Sequence, residues 1–553
     1  MGMREYLTST QSICRECRKP LSAQLFVQDA GVWLEKRCPE HGLQRARVYG
    51  DAQAYLNLGH FHRRASVPLS FATAAAGCPD SCGLCPEHEQ HVCLPIIEIT
   101  DHCNWQCPIC LVCNPASYHR TRQEVARILD GLIRSEGQID VLNLSGGEPT
   151  LNPNFRGIVE ECVGRKEVLR VSVSTNGSVL VRDNDLLRFL GAQRVIVSLQ
   201  FDGMDDEVYT ALRGRAALEE KLRLIDLCGE ANVPMSLTAT VAAGINDRRI
   251  SQVADLVFRH DHILSAMFQP AAYAGSAARF CTLHASGGRE QRPSAPPSPP
   301  LEERVGERRP VTLLDAAACA EVLGGPANAS HVPAESNHLL SLPLSSRGGE
   351  GTAVVVAERR DAYVEQTRLG RPEGAVTISE VMAALHGAGS GTVSAEDFSP
   401  LPCSHPACFA LAFYLKIEDN RYVPIKQMVN ADRYMRLIQN RALFGTDAES
   451  FQLITDAVYD LWSGSAALSP DSQKVLNAVR QLIAATTAGG GYSARRALSV
   501  AERSVKSVFI HQFMDPDTFD LSRARKCCQV YPQLDGRMIP ACVHNCLNRG
   551  RQV

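Results

Sequence analysis

Between Leu94 and Pro270 short apolar runs alternate with longer amphipathic stretches. The strand-like runs are Leu94–Thr100, Val141–Leu144, Leu169–Ser174, Val195–Gln200, Met235–Val241 and Leu264–Gln269. The stretches between them, Thr121–Ser135, Phe155–Gly164, Asn184–Leu190, Leu218–Ala231 and Arg249–Arg259, carry apolar residues at helical spacing. Such alternation predicts βαβ units and a parallel sheet covered by helices. Six strands of this kind make an α/β partial (β/α)6 barrel, whose site lies at the C-terminal strand ends.

Outside this region the pattern changes twice. Residues 282–352 are rich in Ser, Pro, Gly, Arg and Glu, and bury too little apolar surface to offset their ordering entropy. They are read as a disordered insertion, in which Val311–Leu323 is a helix candidate. Thr377-x-x-Glu380 then opens an apolar helix as a capping box. Past Cys408 the reading is mostly helical, with helices near Gln427–Leu443, Phe451–Trp462, Ser472–Ala485 and Ser499–Phe513. Leu453, Ile454, Val458, Leu461 and Trp462 share one helical side. A core-facing stripe explains them; a channel for an apolar substrate is the second reading. The domain plan is therefore an N-terminal metal knuckle (1–60), an auxiliary segment (61–93), the barrel (94–281), the insertion (282–352) and a helical, Cys-rich region (353–553).

Composition narrows the function. A net charge of −3 over 553 residues leaves no electrostatic footprint for nucleic acid. No apolar run spans a bilayer and the start lacks a signal-peptide stretch, so a cytoplasmic protein without a transmembrane segment is expected. In a reducing compartment 21 cysteines argue for metal sites rather than disulfides. All but Cys162, Cys228, Cys281 and Cys319 fall in groups; those four read as small buried apolar residues.

Cys103, Cys107 and Cys110 form a C-x3-C-x2-C loop directly after the first strand. Three thiolates on one loop can hold three irons of a [4Fe–4S] cluster and leave the fourth open. A zinc knuckle is the bland alternative. Cys113 reads as a spectator, since as a ligand it would close the fourth iron. Ser145-Gly146-Gly147-Glu148-Pro149 follows the second strand, Asn176-Gly177 the third, Gln200-Phe201-Asp202-Gly203 the fourth and Asn246-Asp247 the fifth. Asn and Asp there are also ordinary turn residues.

Three further constellations stand apart. Cys14, Cys17 and Cys38, with His41 or a distant cysteine as fourth donor, suit a tetrahedral zinc or a mononuclear iron. Cys78, Cys82 and Cys85 repeat the C-x3-C-x2-C spacing, and Cys93 can close the set into an auxiliary cluster, with zinc as the alternative. Cys403, Cys408, Cys527, Cys528, Cys542 and Cys546 supply a second auxiliary site. The adjacent Cys527 and Cys528 differ in role, and Cys403, Cys408, Cys528 and Cys542 are the ligands expected.

The triad followed by Gly-Gly-Glu-Pro resembles the radical S-adenosylmethionine (SAM) superfamily. The CxxC…CPEHG knuckle, GCPxxCGLCPEHxQHxCL and the PCSHPxC…CC…DGRxIPxC tail look like the group containing tetraether lipid synthase and hydroxymethylpterin methyltransferase. That resemblance implies a radical [4Fe–4S] cluster, SAM as cofactor, auxiliary [4Fe–4S] clusters and a rubredoxin-like metal. It implies SAM contacts from Gly146, Gly147, Glu148 and Pro149, and ribose or adenine contacts from Asn176, Gln200 and Asp202. It also implies an electron donor such as ferredoxin or flavodoxin. The activity implied is SAM cleavage with carbon–carbon bond formation: methylation of a pterin-like or other small substrate, or coupling of lipid chains. A non-catalytic metal-binding or electron-transfer protein is the reading from another class.

Overall fold

The computed structural model describes residues 4–72, 77–79, 82–112, 117–275, 277, 375–418, 421–440, 452–453, 456, 471–487 and 494–549. The expected insertion 282–352, the helix candidate Val311–Leu323, nearly all of Phe451–Trp462, and Cys113, Cys281 and Cys319 lie outside the described residues. One unit of the chain holds residues 1–285 and 356–553; the other, 286–355, is likewise outside them.

Alternation along the first fifty residues builds a four-stranded antiparallel sheet in the order β1-β2-β3-β4, Glu5–Ile13, Pro20–Gln28, Gly31–Cys38 and Gly42–Tyr49. Lys36 in β3 is buried and donates to Ser12 Oγ (3.1 Å) and the carbonyls of Pro516 (2.5 Å) and Asp517 (3.0 Å).

Six parallel strands follow: β5 (Leu94–Thr100), β6 (Ile139–Gly146), β7 (Val168–Thr175), β8 (Ile196–Gln200), β9 (Met235–Val241) and β10 (Ile263–Pro270). The helices between them are Arg122–Glu136, Phe155–Gly164, Asn184–Ala192, Asp206–Arg213, Leu218–Glu230 and Ser251–Arg259. Leu142, Leu144, Val171, Val173, Val197, Leu199, Leu237 and Ala239 are fully or nearly fully buried in one core with the apolar stripes of these helices. Their alternation partners point to the opposite, inner face.

The sheet does not stop at six strands. On the β10 side it continues through β13 (Val505–His511, parallel to β10) to β11 (Phe409–Lys416) and β12 (Tyr422–Pro424). On the β5 side β14 (Gln529–Pro532) pairs parallel to β5, and β15 (Met538–Pro540) pairs antiparallel to β14. The helices expected around these strands are present as Ala431–Ile438, Ser472–Thr487 and Ala494–Ser504. The helix expected over Ser499–Phe513 ends early, because Val505–His511 alternates in burial and adds to β10. The capping box at Thr377 and Glu380 is formed and opens the helix Ile378–Leu385. No helix among the described residues is long and apolar enough to cross a membrane.

Candidate active site and metal centres

β5 delivers the triad loop and β6 delivers Gly146-Gly147-Glu148, because strands paired in register end together. Their turns interlock. The Gly147 amide donates to the Thr100 carbonyl (2.8 Å) and the Glu148 amide to the His102 carbonyl (2.7 Å). A Cβ on Gly147 would sit 2.2 Å from the His102 carbonyl oxygen. Gly146, at φ +128, would place one 2.0 Å from that of Thr100. Only glycine lets two backbones approach this closely. Asp101 braces the far side of the loop: its carboxylate accepts from the Ser117 hydroxyl (2.5 Å) and the amides of Tyr118 and Ser117 (2.9 Å each), which together outweigh burial and hold it below its ordinary value.

Burial pushes the Cys103 thiol up to about 12 and the Cys110 thiol upward as well, so these groups ionise against a metal rather than water. Among the described residues, the one group of three or more metal-donor side chains within 4.8 Å of one another is elsewhere. The triad thiols therefore do not all lie within 4.8 Å of one another.

Glu148 is fully buried and its carboxylate accepts from Thr150 Oγ1 (2.5 Å), Thr175 Oγ1 (2.7 Å) and the Asn176 amide (2.8 Å). Asn176 Nδ2 donates to Asn104 Oδ1 (2.9 Å), and Asn104 Nδ2 to Ser178 Oγ (2.8 Å), so the triad loop and the end of β7 are laced together. Gln200 donates to Asp202, which also takes a two-pronged contact from Arg213 (2.7 and 2.8 Å). Lys221 Nζ donates to the Asn176 carbonyl (2.6 Å) and Gln200 Oε1 (2.9 Å) beneath the Trp105 ring, at 4.8 Å. Burial brings Lys221 down to about 7, against the pull of Asp202.

The structure thus brings Asn176, Gln200 and Asp202 into one network around the triad loop. It adds Asn104, Trp105, Arg213 and Lys221, which sequence reasoning missed. Lys221 carried a signal: it occupies a core position of the stripe Lys221, Leu224, Ile225, Cys228. Asn246 spends its amide on the carbonyls of Asp202 and Thr240 (2.8 Å each) and holds the turn.

At the N-terminal sheet Cys14, Cys17, Cys38 and His41 lie within 4.8 Å of one another. His41 Nδ1 is 3.6 Å from Cys14 Sγ and 3.4 Å from Cys38 Sγ, which makes it the fourth donor of a tetrahedral site. Burial works against ionisation of Cys14, but the Cys17 amide and the Gln44 side chain (3.1 Å) outweigh it and bring it to about 6. A thiolate is what a zinc site requires.

The other thiols divide differently from expectation. Cys93 was expected to complete Cys78, Cys82 and Cys85. Instead it is in hydrogen-bonding contact with Cys403 and Cys528, and these contacts, with burial, push it well up. The cause is strand pairing: Cys93 and Cys528 precede β5 and β14, whose first residues Leu94 and Gln529 are partners, and the Cys93 amide donates to the Cys528 carbonyl (2.9 Å). Gln90 Nε2 bridges Cys93 and Cys403 at 3.3 Å from each. Cys408 packs in the same buried cluster. Cys78 hydrogen-bonds Cys82, whose thiol also feels Cys85 and Cys527. Cys542 and Cys546 share a separate core cluster with Cys82. Cys162 and Cys228 are isolated, and burial raises both to about 12.

Residues 97–257 match the radical SAM superfamily, and residues 6–50 match the HMPTM N-terminal zinc ribbon domain. The chain is 22% identical over 551 residues to 7,8-dihydro-6-hydroxymethylpterin dimethyltransferase of Methanocaldococcus jannaschii, covering 98% of this chain and 94% of that protein. It is 29% identical over 174 residues to GTP 3',8-cyclase of Streptomyces coelicolor, 30% of this chain and 50% of that one. The crystal structure of Streptococcus suis SuiB bound to S-adenosylmethionine aligns over 33% of this chain and 41% of that one, at 15% identity and a TM-score of 0.29.

Proposed function

We propose, for a chain that belongs to the radical SAM superfamily, reductive cleavage of SAM and methylation of a small pterin-like substrate at an unactivated carbon. The observation that carries the substrate class is the inner face of the sheet. There, beside the partly exposed apolar side chains of Val141, Ile196 and Met267, hydroxyls and amides pair across strands: Asn143 with Ser174 (3.0 Å), Ser198 with Thr238 (3.2 Å) and Ser236 with Ser265 (2.8 Å). Such hydroxyls and amides offer a heteroatom-rich ring hydrogen-bonding partners that a hydrocarbon chain cannot use, which favours the pterin-like substrate over lipid chains.

Cys103, Cys107 and Cys110 would hold a [4Fe–4S] cluster, which, when bound and reduced, would supply the electron for cleavage of SAM to methionine and a 5'-deoxyadenosyl fragment able to take hydrogen from the substrate. The chain's own part is positioning. Glu148, held by four donors, fixes an acceptor for the SAM amino group beside the triad loop. Asn104 and Asn176 tie that loop to the strand end, and Lys221 buttresses Asn176 from beneath. The Arg213–Asp202 pair anchors Gln200 at the next strand end.

Cys78, Cys82, Cys85 and Cys527 are our ligand set for one auxiliary cluster, and Cys93, Cys403, Cys408 and Cys528 for another. Cys14, Cys17, Cys38 and His41 hold zinc. The electron comes from a one-electron donor such as ferredoxin or flavodoxin, in a cytoplasm reducing enough to keep these thiols free.

The test is anaerobic. Reconstituted, reduced protein is given SAM and 6-hydroxymethyl-7,8-dihydropterin, and 5'-deoxyadenosine, S-adenosylhomocysteine and methylated pterin are quantified by mass. Deoxyadenosine and methylated pterin that both vanish in Cys107→Ala support the reading. Deoxyadenosine without methylated pterin overturns the substrate class. No deoxyadenosine and no SAM binding overturn the enzyme.

A further inference from the structure

Cys93, Cys403, Cys408 and Cys528 are all buried, whereas Cys78 and Cys527 of the neighbouring set are partly exposed. One side chain among the buried thiols has no part in holding SAM. Gln90, in the stretch between Cys85 and Cys93, is fully buried. Its Nε2 stands 3.3 Å from Cys93 Sγ and 3.3 Å from Cys403 Sγ, so both of its N–H groups are spent on sulfur. Its Oε1 is buried without a partner among the described residues.

The way the amide faces tells what the sulfurs are. A neutral thiol donates weakly and accepts weakly, so a pair of them would be met by the amide oxygen. Here the nitrogen faces both sulfurs and the oxygen goes unpaired, at a cost in free energy. The arrangement is favourable when the acceptors are ionised, because hydrogen bonds to a charged acceptor are roughly twice as strong as neutral ones. Thiolates bound to iron are acceptors of that kind. Other donors converge on the same set: the Asn440 amide on Cys403 Sγ (3.1 Å), His91 Nε2 near Cys93 Sγ (3.5 Å) and Arg523 Nη2 on Cys408 Sγ (3.5 Å). An electron added to an iron–sulfur cluster spreads negative charge onto its sulfurs. Donors aimed at those sulfurs therefore favour the reduced state, and such hydrogen bonds are among the factors that set a cluster's potential.

We propose that Gln90 is a positioning residue whose amide, shared between Cys93 and Cys403, raises the reduction potential of the [4Fe–4S] cluster that these thiols would hold with Cys408 and Cys528. This rests on the ligand set given in the preceding subsection. Because both donors of the amide go to sulfurs of one set, a change at Gln90 acts on one cluster.

The experiment measures potentials, not turnover. Reconstituted holoenzyme is titrated with dithionite in the presence of redox mediators, and the reduced clusters are followed by electron paramagnetic resonance. The step that vanishes in Cys403→Ala, together with about four irons, belongs to this site. In Gln90→Met, which keeps the length of the side chain without its N–H groups, that step is expected to move to lower potential. The expected shift is about tenfold in the reduction equilibrium, or about 59 mV for one electron. Gln90→Leu fills the space with another shape and is expected to shift the step equally, as lost hydrogen bonds require and altered packing does not. Iron content, SAM affinity and the other steps stay at wild-type values in both variants. A step that stays in place in variants with full iron overturns the proposal. So does an equal shift of every step, and so does loss of the four irons from both variants, which would make Gln90 a residue of cluster assembly. If Cys403→Ala keeps all its iron and every step, it is the ligand set of the preceding subsection that has failed.

Discussion

Gly147→Ala offers the sharpest test of the proposed SAM cradle. The new Cβ would lie 2.2 Å from the His102 carbonyl oxygen and 2.6 Å from its carbonyl carbon, both backbone atoms of the triad loop. Relief to an ordinary contact requires the two turns to part by about 1 Å, because no flexible side chain stands between them to yield. That retreat stretches both hydrogen bonds that lock the turns, the Gly147 and Glu148 amides to Thr100 and His102. At ~1 kcal/mol each the folding penalty is about 2 kcal/mol, which a chain with this core survives. The larger effect is geometric. Displacing a positioning group by about 1 Å costs on the order of 100-fold in rate. The assay is the initial rate of 5'-deoxyadenosine formation at saturating SAM under dithionite, read beside iron content. A variant with full iron and a rate about 100-fold down fits the interlocked turns. One with full iron that cleaves SAM within threefold of wild type refutes them.

Other consequences are equally direct. Cys528→Ala is expected to lose about four irons and leave the rest, and the double variant Cys527→Ala/Cys528→Ala about twice that; iron and sulfide analysis checks this, and equal losses in all variants would sink the two-site division. Cys38→Ser is expected to release the N-terminal zinc and expose residues 5–49 to protease, because the four donors clamp the ends of β1 and β3. SAM cleavage should persist; zinc retained in full by the variant would refute the site. Lys221 has a pH signature. Its folded value, about 7, lies below the ordinary 10.5, so the unfolded chain binds more protons between those limits and stability rises with pH there. Relative to Lys221→Met, wild-type protein should gain about 1 kcal/mol per pH unit from pH 7.5 to 9 in anaerobic urea unfolding. A difference that is flat with pH would mean the lysine stays charged.

How much of this was legible depends on the range of the interaction. Leu94–Thr100 and Met235–Val241 could be bounded from the chain because a strand buried on its outer face must alternate or run apolar. The helix at Thr377 announced itself by its capping box, also a local device. His41 could be placed because it is three residues from Cys38. Val505–His511 misled because its preceding turns are truly helical and its strand character comes from distant partners, β10 on one side and β11 on the other. The partner of Cys93 was hidden for the same reason: no spacing rule encodes that β14 closes on β5. Lys221 lay in plain view as a charge in an apolar stripe. Its use became apparent only when Gln200 and the Asn176 carbonyl arrived beside it.

The Cys527–Cys528 dipeptide carries a mechanical meaning. One thiol faces Cys82 and its neighbours, the other Cys93 and Cys403. Consecutive Cα atoms are about 3.8 Å apart across a rigid, planar link. Groups bound by these two thiols would therefore be spaced by covalent geometry as well as by packing. No domain motion, loop opening or substrate arrival can lengthen the gap between them. If the two proposed ligand sets hold clusters, the distance between those clusters is fixed at synthesis, and only their potentials are left to tune a hop between them.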